Sequence, residues 1–442
     1  MTRARSFVVA VNCSALCASC LATGAAAQEV RANRDSVSYR ELLTAATSTD
    51  PRQRQLGLQQ SASQLRLRSI AAERLPSLGV TGQAQYQSEV TRIAIPLPGV
   101  SIPTPPNDTY DAHLSAQQSL LDPTLDSRRA MERARLAESQ AHVRATLFGI
   151  RQEVAEAFFA AAAMEQRIEE TDAAIADLEA RRRETVTRYR NGAALRGDTA
   201  AIAATITERR QDRLALVSER STALARLALL TGRSLRDDVV LLAPASAALV
   251  RHVANALDTL RARPEYEQFA ATRDRLEQQS RLVASQEKPR VSAFGRLGYG
   301  RPGLNMLSAD FQTYWVAGVQ LEWTPFNWGT ANRDREQLAL EREIVTTNEA
   351  AFSRSLARSV QPTLASIARL DSTIALDESV IALREQVAHE AQVQLREGVI
   401  TAATYVDHST ALLTARLRRV QHRVALEQAR VTLLNTLGVE VR

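Results

Sequence analysis

The chain has 442 residues, of which 24% are charged and only 5% are aromatic, and its formal net charge is +6. This composition is typical of long helices with much surface and argues against the compact apolar core of an enzyme. The basic charge does not indicate nucleic-acid binding, because the arginines alternate with acidic residues along helices instead of clustering with aromatic side chains.

The first 27 residues resemble a secretory signal. Arg3 and Arg5 precede an apolar run that starts at Phe7, and Ala25-Ala26-Ala27 offers a cleavage site before Gln28. All three cysteines, at positions 13, 17 and 20, fall in this segment, so the predicted mature chain contains none and loses two arginines, for a net charge of +4. Lipidation at Cys20 is the disfavoured alternative, because Cys17 occupies the position where a lipoprotein signal needs leucine. We therefore expect an exported protein.

Four segments alternate between apolar and polar residues and predict strands at 77–87, 109–120, 291–300 and 312–323. In the first, Leu78, Val80, Ala84 and Tyr86 share one face. Each segment has about ten residues, the length that a tilted strand needs to cross a membrane, whereas no apolar run reaches the ~18 residues of a transmembrane helix. Half-buried strands of a soluble sandwich are the alternative. The loops between the paired strands, around 95–107 and 301–310, carry prolines and are predicted to lie at the surface.

Two very long helices are predicted at 124–190 and 330–396. The first contains no proline, and the second contains only Pro362, which we expect to kink it or to mark a change in supercoil. At 1.5 Å per residue, about 67 residues extend roughly 100 Å. Apolar residues recur at three- and four-residue spacing among arginines and acids, which is typical of a coiled-coil wall.

Each long helix is followed by a glycine turn and a returning helix. Asn191-Gly192 leads to Asp198, and Glu397-Gly398 leads to Thr404, with Asp198 or Thr401 as candidate helix caps. A linker at 237–244 then joins the first half to a further helix at about 247–287, which matches residues 38–74 in the first half.

These features occur twice in the same order. Leu229-Leu230-Thr231-Gly232 corresponds to Asn435-Thr436-Leu437-Gly438, and from the end of the strands onward the offset is 205 or 206 residues. The chain is therefore a duplicated half-molecule, with predicted repeats at 28–243 and 244–442. Four strands leave edges that are unsatisfied in lipid, so oligomerisation is expected, and three copies with twelve strands make the smallest plausible pore.

In this order the residues resemble the TolC-like outer membrane efflux proteins. The matching signatures include Pro76 and Pro289 before the strands, the glycine turns, and the linker that runs from Arg261 to Tyr266. The resemblance implies a mainly α fold with a membrane β-barrel portion: a homotrimer whose coiled-coil helices form an α-barrel, topped by a 12-stranded β-barrel in outer membrane lipid. It also implies an outer membrane duct of a Gram-negative bacterium that reaches into the periplasm. Its partners would be a periplasmic adaptor (membrane fusion protein) and an inner membrane transporter such as an RND or ABC pump.

The resemblance also assigns candidate sites to the two turns. By position, 190–198 and 396–407 match the part of the family that meets the adaptor, and the candidate contact residues there are Arg190, Gly192, Arg196, Gly197, Arg396 and Gly398. Asp198 and Asp407 match acidic positions near the periplasmic entrance, where a ring of three carboxylates could bind cations and gate the tunnel. Thr404 departs from relatives that carry a further acid. Helix capping by Asp198 and a solvated face at Asp407 are the alternatives.

No enzyme, cofactor or metal site is expected. The pair Asp407-His408 is suggestive but has no further ligand at metal-site spacing. Gly295, Gly298 and Gly300 fall within a strand with no helix after it, so they do not form a dinucleotide fingerprint. A duct for protein secretion by a type I system is one alternative function, and a trimeric coiled-coil surface protein is another.

Overall fold

The computed structural model describes residues 36–90, 104–253, 262–305 and 308–440. The predicted signal segment lies outside the described residues, together with the three cysteines and most of the first proline-containing loop. The chain divides into two compact units. The helical unit takes in described residues from 1–50, 150–257 and 360–442, and the sheet unit takes in those from 51–149 and 258–359.

The elements run in an order that repeats, so that each element of the first half has a counterpart in the second. The first half contains β1 (Ser36–Ser38), α1 (Tyr39–Thr49), α2 (Gln53–Ala72), β2 (Ser77–Tyr86), β3 (Asp108–Leu121), α3 (Thr124–Arg190) and α4 (Arg196–Thr231). The second half contains β4 (Val240–Leu242), α5 (Ser246–Val253), α6 (Pro264–Gln286), β5 (Arg290–Arg301), β6 (Gln312–Glu322), α7 (Thr330–Glu397) and α8 (Ala402–Leu437). Among the described residues, no helix has the length and apolar character needed to cross a membrane.

The sheet unit contains a four-stranded antiparallel sheet in the order β2-β3-β5-β6. Its register places Val80 opposite Leu114, Leu114 opposite Leu297, and Leu297 opposite Trp315. Because side chains alternate between the two faces of a strand, this row lies on one face of the sheet. The alternation that predicted the strands therefore produces one apolar face that runs across all four of them.

An arginine between two aromatic rings supports the start of α6. The Arg263 guanidinium lies 5.0 Å from the centre of the Phe148 ring and 5.4 Å from that of Phe352, and it is paired with Glu265. Pro264 occupies the first turn of α6, where its missing N–H costs no helical hydrogen bond. The Arg-Pro-Glu sequence thus starts a helix and anchors it to α3 and α7 within the sheet unit.

The core of the helical unit is built around α1. Tyr39 is fully buried, and its ring centre lies 5.4 Å from that of Phe158 and 6.3 Å from that of Phe159. Ser38 and Glu41 form a reciprocal cap at the start of α1, with N–H···O distances of 3.2 and 3.0 Å. This cap fixes the chain direction just before the buried tyrosine.

The parallel pairing of β1 with β4 connects the start of each half, and a buried arginine holds the adjoining linker. Arg220 on α4 donates hydrogen bonds to the carbonyl oxygens of Asp237 and Val239. Its guanidinium also lies 3.4 Å from Glu165, and burial raises the pKa of that carboxyl. One side chain of the first half thus secures the segment that leads into the second.

The predicted fold class and the four strands are confirmed, and each strand end lies within one residue of its predicted position. Pro362, where a kink or a change in supercoil is predicted, lies inside α7, which continues through it. The predicted single helix at 38–74 is wrong: α1 ends before Asp50-Pro51, since proline lacks the N–H that would extend a helix and disfavours helical geometry in the preceding residue. In the counterpart region, α5 covers Ser246–Val253 and α6 covers Pro264–Gln286, and residues 254–261 between them lie outside the described part.

Candidate functional site

Two glycine turns bring four helix ends together in the helical unit; we call this region the tip. Gly192 follows α3 with φ of +76°, and Gly398 follows α7 with φ of +78°. Both turns close with the same bonds, from Ala193 N–H to the Arg188 carbonyl and from Val399 N–H to the Gln394 carbonyl, each at 2.8 Å. Because glycine adopts positive φ without steric cost, it ends both helices in the same way.

All four helices contribute to one apolar core beneath these turns. Burying side chains from α3, α4, α7 and α8 against one another fixes the position of the turns, since apolar area removed from water is the main favourable term in packing. The buried members of this core are Ile175, Leu178, Ile202, Ile206, Ala391, Leu395, Ala402 and Tyr405.

Asp198 joins the two turns through its carboxylate. One oxygen, Oδ2, accepts a hydrogen bond from Leu195 N–H at 3.0 Å and so caps α4. The other, Oδ1, accepts one from Ala402 N–H at 3.0 Å, at the start of α8. Hydrogen bonds to a charged acceptor are stronger than those between neutral groups. One carboxylate thus satisfies the first amides of two helices that are about two hundred residues apart in sequence.

Thr404 occupies the same helical position in α8 as Asp198 does in α4. Thr401 caps the start of α8, because its Oγ1 accepts a hydrogen bond from Thr404 N–H at 3.3 Å. The hydroxyl oxygens of Thr401 and Thr404 are 3.1 Å apart. The hydroxyl of Thr404, which is one of the candidate gate residues, therefore lies within hydrogen-bonding distance of the neighbouring Thr401 hydroxyl.

Two further side chains at the tip were missed by the sequence analysis. Arg188 donates hydrogen bonds to the carbonyl oxygens of Leu395 and Ala193, and so connects the ends of α3 and α7. The Tyr405 hydroxyl, on a nearly fully buried ring, donates a hydrogen bond to Asp177 Oδ2 at 2.6 Å. Burial, with the Asp177 carboxylate, raises the pKa of Tyr405 above its usual range.

A signal existed for each of them, but it was weak. Arginine near a helix C-terminus often bonds the last carbonyls, yet this chain has arginines along every helix. A tyrosine in the first turn of α8 stands out among small residues, but the sequence does not indicate which carboxylate it meets.

The predicted adaptor-contact residues are all exposed at the tip. They surround Leu195 and Val399, two apolar side chains that are also largely exposed. A Cβ built on Gly192 or Gly197 would meet no atom within 4 Å, so the turn surface is open. The structure thus places Arg190, Gly192, Arg196, Gly197, Arg396 and Gly398 on one accessible surface.

The two predicted gate carboxylates have different environments. Asp198 is partly buried and bonded to two amides, whereas Asp407 is exposed on the second turn of α8. Among the described residues, Asp407 has no hydrogen-bond or ion-pair partner. In the same part of the chain, no three histidine, cysteine or acidic side chains are grouped as a metal site would require. Of these two carboxylates, Asp407 is thus the exposed one and Asp198 the one that bonds the backbone.

The apolar face of the sheet is the second candidate functional surface. Val80 is 84% exposed and Trp315 is 72% exposed, in the same row across the sheet. Trp323, Phe326 and Trp328 follow β6 and are also largely exposed. Apolar side chains on this scale are seldom left in water by a soluble monomer.

The opposite face of the sheet carries a polar network. The Tyr314 hydroxyl on β6 donates a hydrogen bond to Asp111 on β3, and His113 Nδ1 lies 2.5 Å from the same carboxylate. Between them, on β5, Gly298 lies directly opposite Tyr314. A Cβ at Gly298 would lie 2.4 Å from the tyrosine ring, so the absence of a side chain there allows Tyr314 to reach across a strand.

The sequence was compared with protein-family models, and the fold with solved structures. Residues 257–439 match the family model described as outer membrane efflux protein. The solved structure of CusC has a TM-score of 0.69 at 15% identity, with 91% of this chain and 92% of that chain covered. No curated protein matches the sequence at a significant level.

Two other solved structures are similar over nearly the full length. The outer membrane protein VceC from Vibrio cholerae has a TM-score of 0.65 at 17% identity, covering 91% of this chain and 97% of that chain. The open state of the Neisseria gonorrhoeae MtrE outer membrane channel has a TM-score of 0.64 at 17% identity, covering 91% and 89%.

Proposed function

We propose that the chain is the outer membrane duct of a tripartite efflux system, since residues 257–439 match the model of the outer membrane efflux protein family. It exports small solutes across the periplasm and the outer membrane of a Gram-negative bacterium, and it catalyses no reaction. Its two efflux repeats occupy 28–243 and 244–442.

The observation that carries the proposal is the continuous, exposed apolar face of the four-stranded sheet. The row through Val80, Leu114, Leu297 and Trp315 matches the lipid-facing side of a membrane strand, and the polar network around Asp111 matches the side that faces an aqueous lumen. The aromatic residues Trp323, Phe326 and Trp328 suit the boundary between lipid and water, where such rings accumulate.

The duct requires more than one copy of the chain. In the described sheet, β2 and β6 each pair with a single strand, so each offers an unpaired edge. Lipid cannot satisfy these backbone groups, and pairing β6 of one copy with β2 of the next removes both edges. Three copies supply twelve strands and leave room for a solute between them.

The tip is the docking surface for a periplasmic adaptor, and an inner membrane transporter of the RND or ABC class drives transport. The exposed tip residues support this assignment, because docking needs accessible groups with little rearrangement. Asp407 forms the acidic ring at the entrance, since its carboxylate is exposed and uncommitted, while Asp198 and Thr404 maintain the turns that surround it.

Single-channel recording of the purified protein in a planar lipid bilayer tests this proposal, with the mass in detergent measured beforehand. We expect a three-subunit mass and small, discrete conductance steps that respond to cations. A species that remains in solution and never inserts would contradict the proposed duct and favour a coiled-coil surface protein.

A further inference from the structure

Arg296 lies near the middle of β5, and its guanidinium has no partner in the sheet. The residue is exposed, and within the described part of the chain it makes no ion pair and no side-chain hydrogen bond. By strand alternation it belongs to the polar face, the same face as Tyr314. The other arginine on this face of β5, Arg290, is instead paired with Glu322 on β6 at 3.1 Å. Arg296 therefore presents a positive charge and free N–H donors to the space over the polar face.

The duplication shows why Arg296 has no partner across the strands. Opposite it on β6 lies Val316, and Val316 follows Asp111 by 205 positions, which is the offset of the repeat at the end of the strands. In the first half, Asp111 lies opposite Gln83. Gln83 corresponds to Arg296 when β2 is aligned with β5, an alignment that also pairs the tyrosines at the ends of both segments. Each half therefore carries one member of what would otherwise be an arginine–aspartate pair.

Asp111 attracts Arg296 but does not take up its donors. The charge of Arg296 acts on the Asp111 carboxylate across the polar face. That carboxylate, however, already accepts the hydrogen bond from Tyr314 and lies 2.5 Å from His113 Nδ1. On the other side of Arg296, the residue opposite on β3 is the neutral Ser115. The acid and the arginine thus remain separate groups, and in the described sheet the arginine keeps its donors free.

We propose that Arg296 forms an anion subsite inside the barrel, for solutes that carry a phosphate or a carboxylate group. In the proposed duct the polar face lines the lumen, and the rotational symmetry of three copies places three Arg296 side chains at one level. A guanidinium binds phosphate or carboxylate through paired N–H···O bonds, and a ring of like charges in a pore attracts the opposite ion. The inference rests on the proposed function, and it adds a basic ring in the barrel to the acidic ring of Asp407.

Block of the single-channel current by multivalent anions tests the inference on the full-length trimer. Tripolyphosphate and citrate serve as the phosphate and carboxylate probes, in KCl without divalent cations. At least one of them should block the unaltered channel, and the one that blocks identifies the preferred group. Arg296→Gln should weaken that block by about tenfold or more, because each copy loses a charge and its charge-assisted hydrogen bonds.

Arg290→Gln is the matched control for this measurement. It removes the same charge from the same face of the same strand, but about 20 Å from Arg296 along β5. That distance exceeds two Debye lengths in about 0.15 M salt, so the block should stay as in the unaltered channel. Equal block in Arg296→Gln and the unaltered channel would overturn the inference, and so would an equal loss of block in Arg290→Gln.

Chemical restoration of the charge gives a second test, which also reports the direction in which the side chain faces. The chain has no cysteine after position 20. Arg296→Cys should lose the block, and a trimethylammonium-ethyl methanethiosulfonate should restore it in part, since it returns the charge without the N–H donors. The sulfonate-ethyl reagent should not. Leu297→Cys, the next residue and on the apolar face, should respond to neither reagent. Restoration at position 296 by neither reagent, or by both, would contradict a luminal charge there.

The inference and the proposed duct fail in different ways. A trimer that conducts but is blocked by neither anion, or is blocked equally in Arg296→Gln, leaves the duct standing and removes the anion subsite. A protein that never conducts contradicts the duct itself, and the subsite with it.

Discussion

The two predicted gate carboxylates, Asp198 and Asp407, differ in the groups that they bond. Asp198 accepts hydrogen bonds from Leu195 and Ala402, which belong to the two tip turns. Asp407 is exposed, and none of the described residues pairs with it. A change at Asp198 should therefore alter the folding of the tip, whereas a change at Asp407 should alter its interaction with solutes.

Asp198→Ala should destabilise the tip by about 2 kcal/mol, because two backbone amides lose a charged acceptor. Hydrogen exchange should be faster at the Leu195 and Ala402 amides in particular. Asp407→Ala provides the control, with stability expected to stay within about 0.5 kcal/mol, as for most exposed sites. Equal exchange rates in the unaltered protein and in Asp198→Ala would show that the observed bonds do not hold the turns.

Tyr405→Phe should lower the free energy of unfolding by about 1–3 kcal/mol, because Asp177 loses its buried donor. Since the folded-state pKa of Tyr405 is raised, its stabilisation is fully present below pH 10, the usual value, and is lost as pH rises beyond it. The difference between the two proteins in urea unfolding should thus be constant near neutral pH and shrink in alkali. Tyr189→Phe, at an exposed ring, should show neither effect.

Asp407→Arg should weaken block of the channel by divalent cations without changing the trimeric mass. The reason is that reversing three exposed charges replaces a cation-attracting ring with a repelling one. Bilayer recordings with added divalent cations would measure this. Glu208→Arg reverses another exposed charge on α4 and should leave the block unchanged. Unaltered block in Asp407→Arg trimers would remove the acidic gate.

At the scale of a single element, glycines on β5 and β6 leave room for aromatic side chains of the neighbouring strand. Gly298 leaves the space that the Tyr314 ring occupies, and Gly318 on β6 does the same for the Phe294 ring. In both cases an aromatic side chain lies over a glycine on the neighbouring strand. Gly298, one of the three glycines that do not form a nucleotide fingerprint, thus has a packing role within the sheet.

Gly298→Ala should impair strand assembly, since its Cβ would lie 2.4 Å from the Tyr314 ring. We expect a lower yield of folded trimer, measured by the difference in gel mobility between heated and unheated samples. Gly82→Ala is the matched control on β2, because a Cβ there meets no atom within 4 Å. A normal yield for Gly298→Ala would mean that Tyr314 can turn away without cost.

Across the whole molecule, the two duplicated halves share the same order of helices and strands, but only some of their ion pairs correspond. The ion pair Arg210–Glu179 recurs 206 positions later as Arg416–Glu385, at 2.6 and 2.7 Å. Arg213 and Arg419 also correspond to each other, but their partners differ. Arg213 pairs with Asp172 in its own half of the chain, whereas Arg419 pairs with Glu170 in the other half. Corresponding arginines on the two returning helices therefore keep their helical position but not always the position of their acidic partner.

The orientation of the sheet in the membrane can be tested with neighbouring residues on β2. Val80→Arg places a charge on the apolar face and should cost about 2–4 kcal/mol at the bilayer centre. Thr81→Arg places the same charge on the polar face and should insert normally. Recovery of folded protein from lipid vesicles is the measurement. Equal recovery of the two variants would contradict the assignment of faces.

The sequence alone determined the features that depend on local pattern. Period-two alternation located the four strands, and the long proline-poor runs located α3 and α7. Gly192 and Gly398 marked the turns because few other residues accept their backbone angles. Pro51 is a local signal too, because a proline disfavours helical geometry in the residue before it, and this is where α1 ends and α2 has not yet begun. The short strands β1 and β4 have three residues each, too few for any periodic pattern.

Only the tertiary structure decided which distant residues meet. Nothing local indicates that Asp198 bonds Ala402, that Tyr405 finds Asp177, or that Arg188 reaches Leu395. Such pairs depend on how four helices pack, and the chain offers many arginines and acids that could serve equally well by composition.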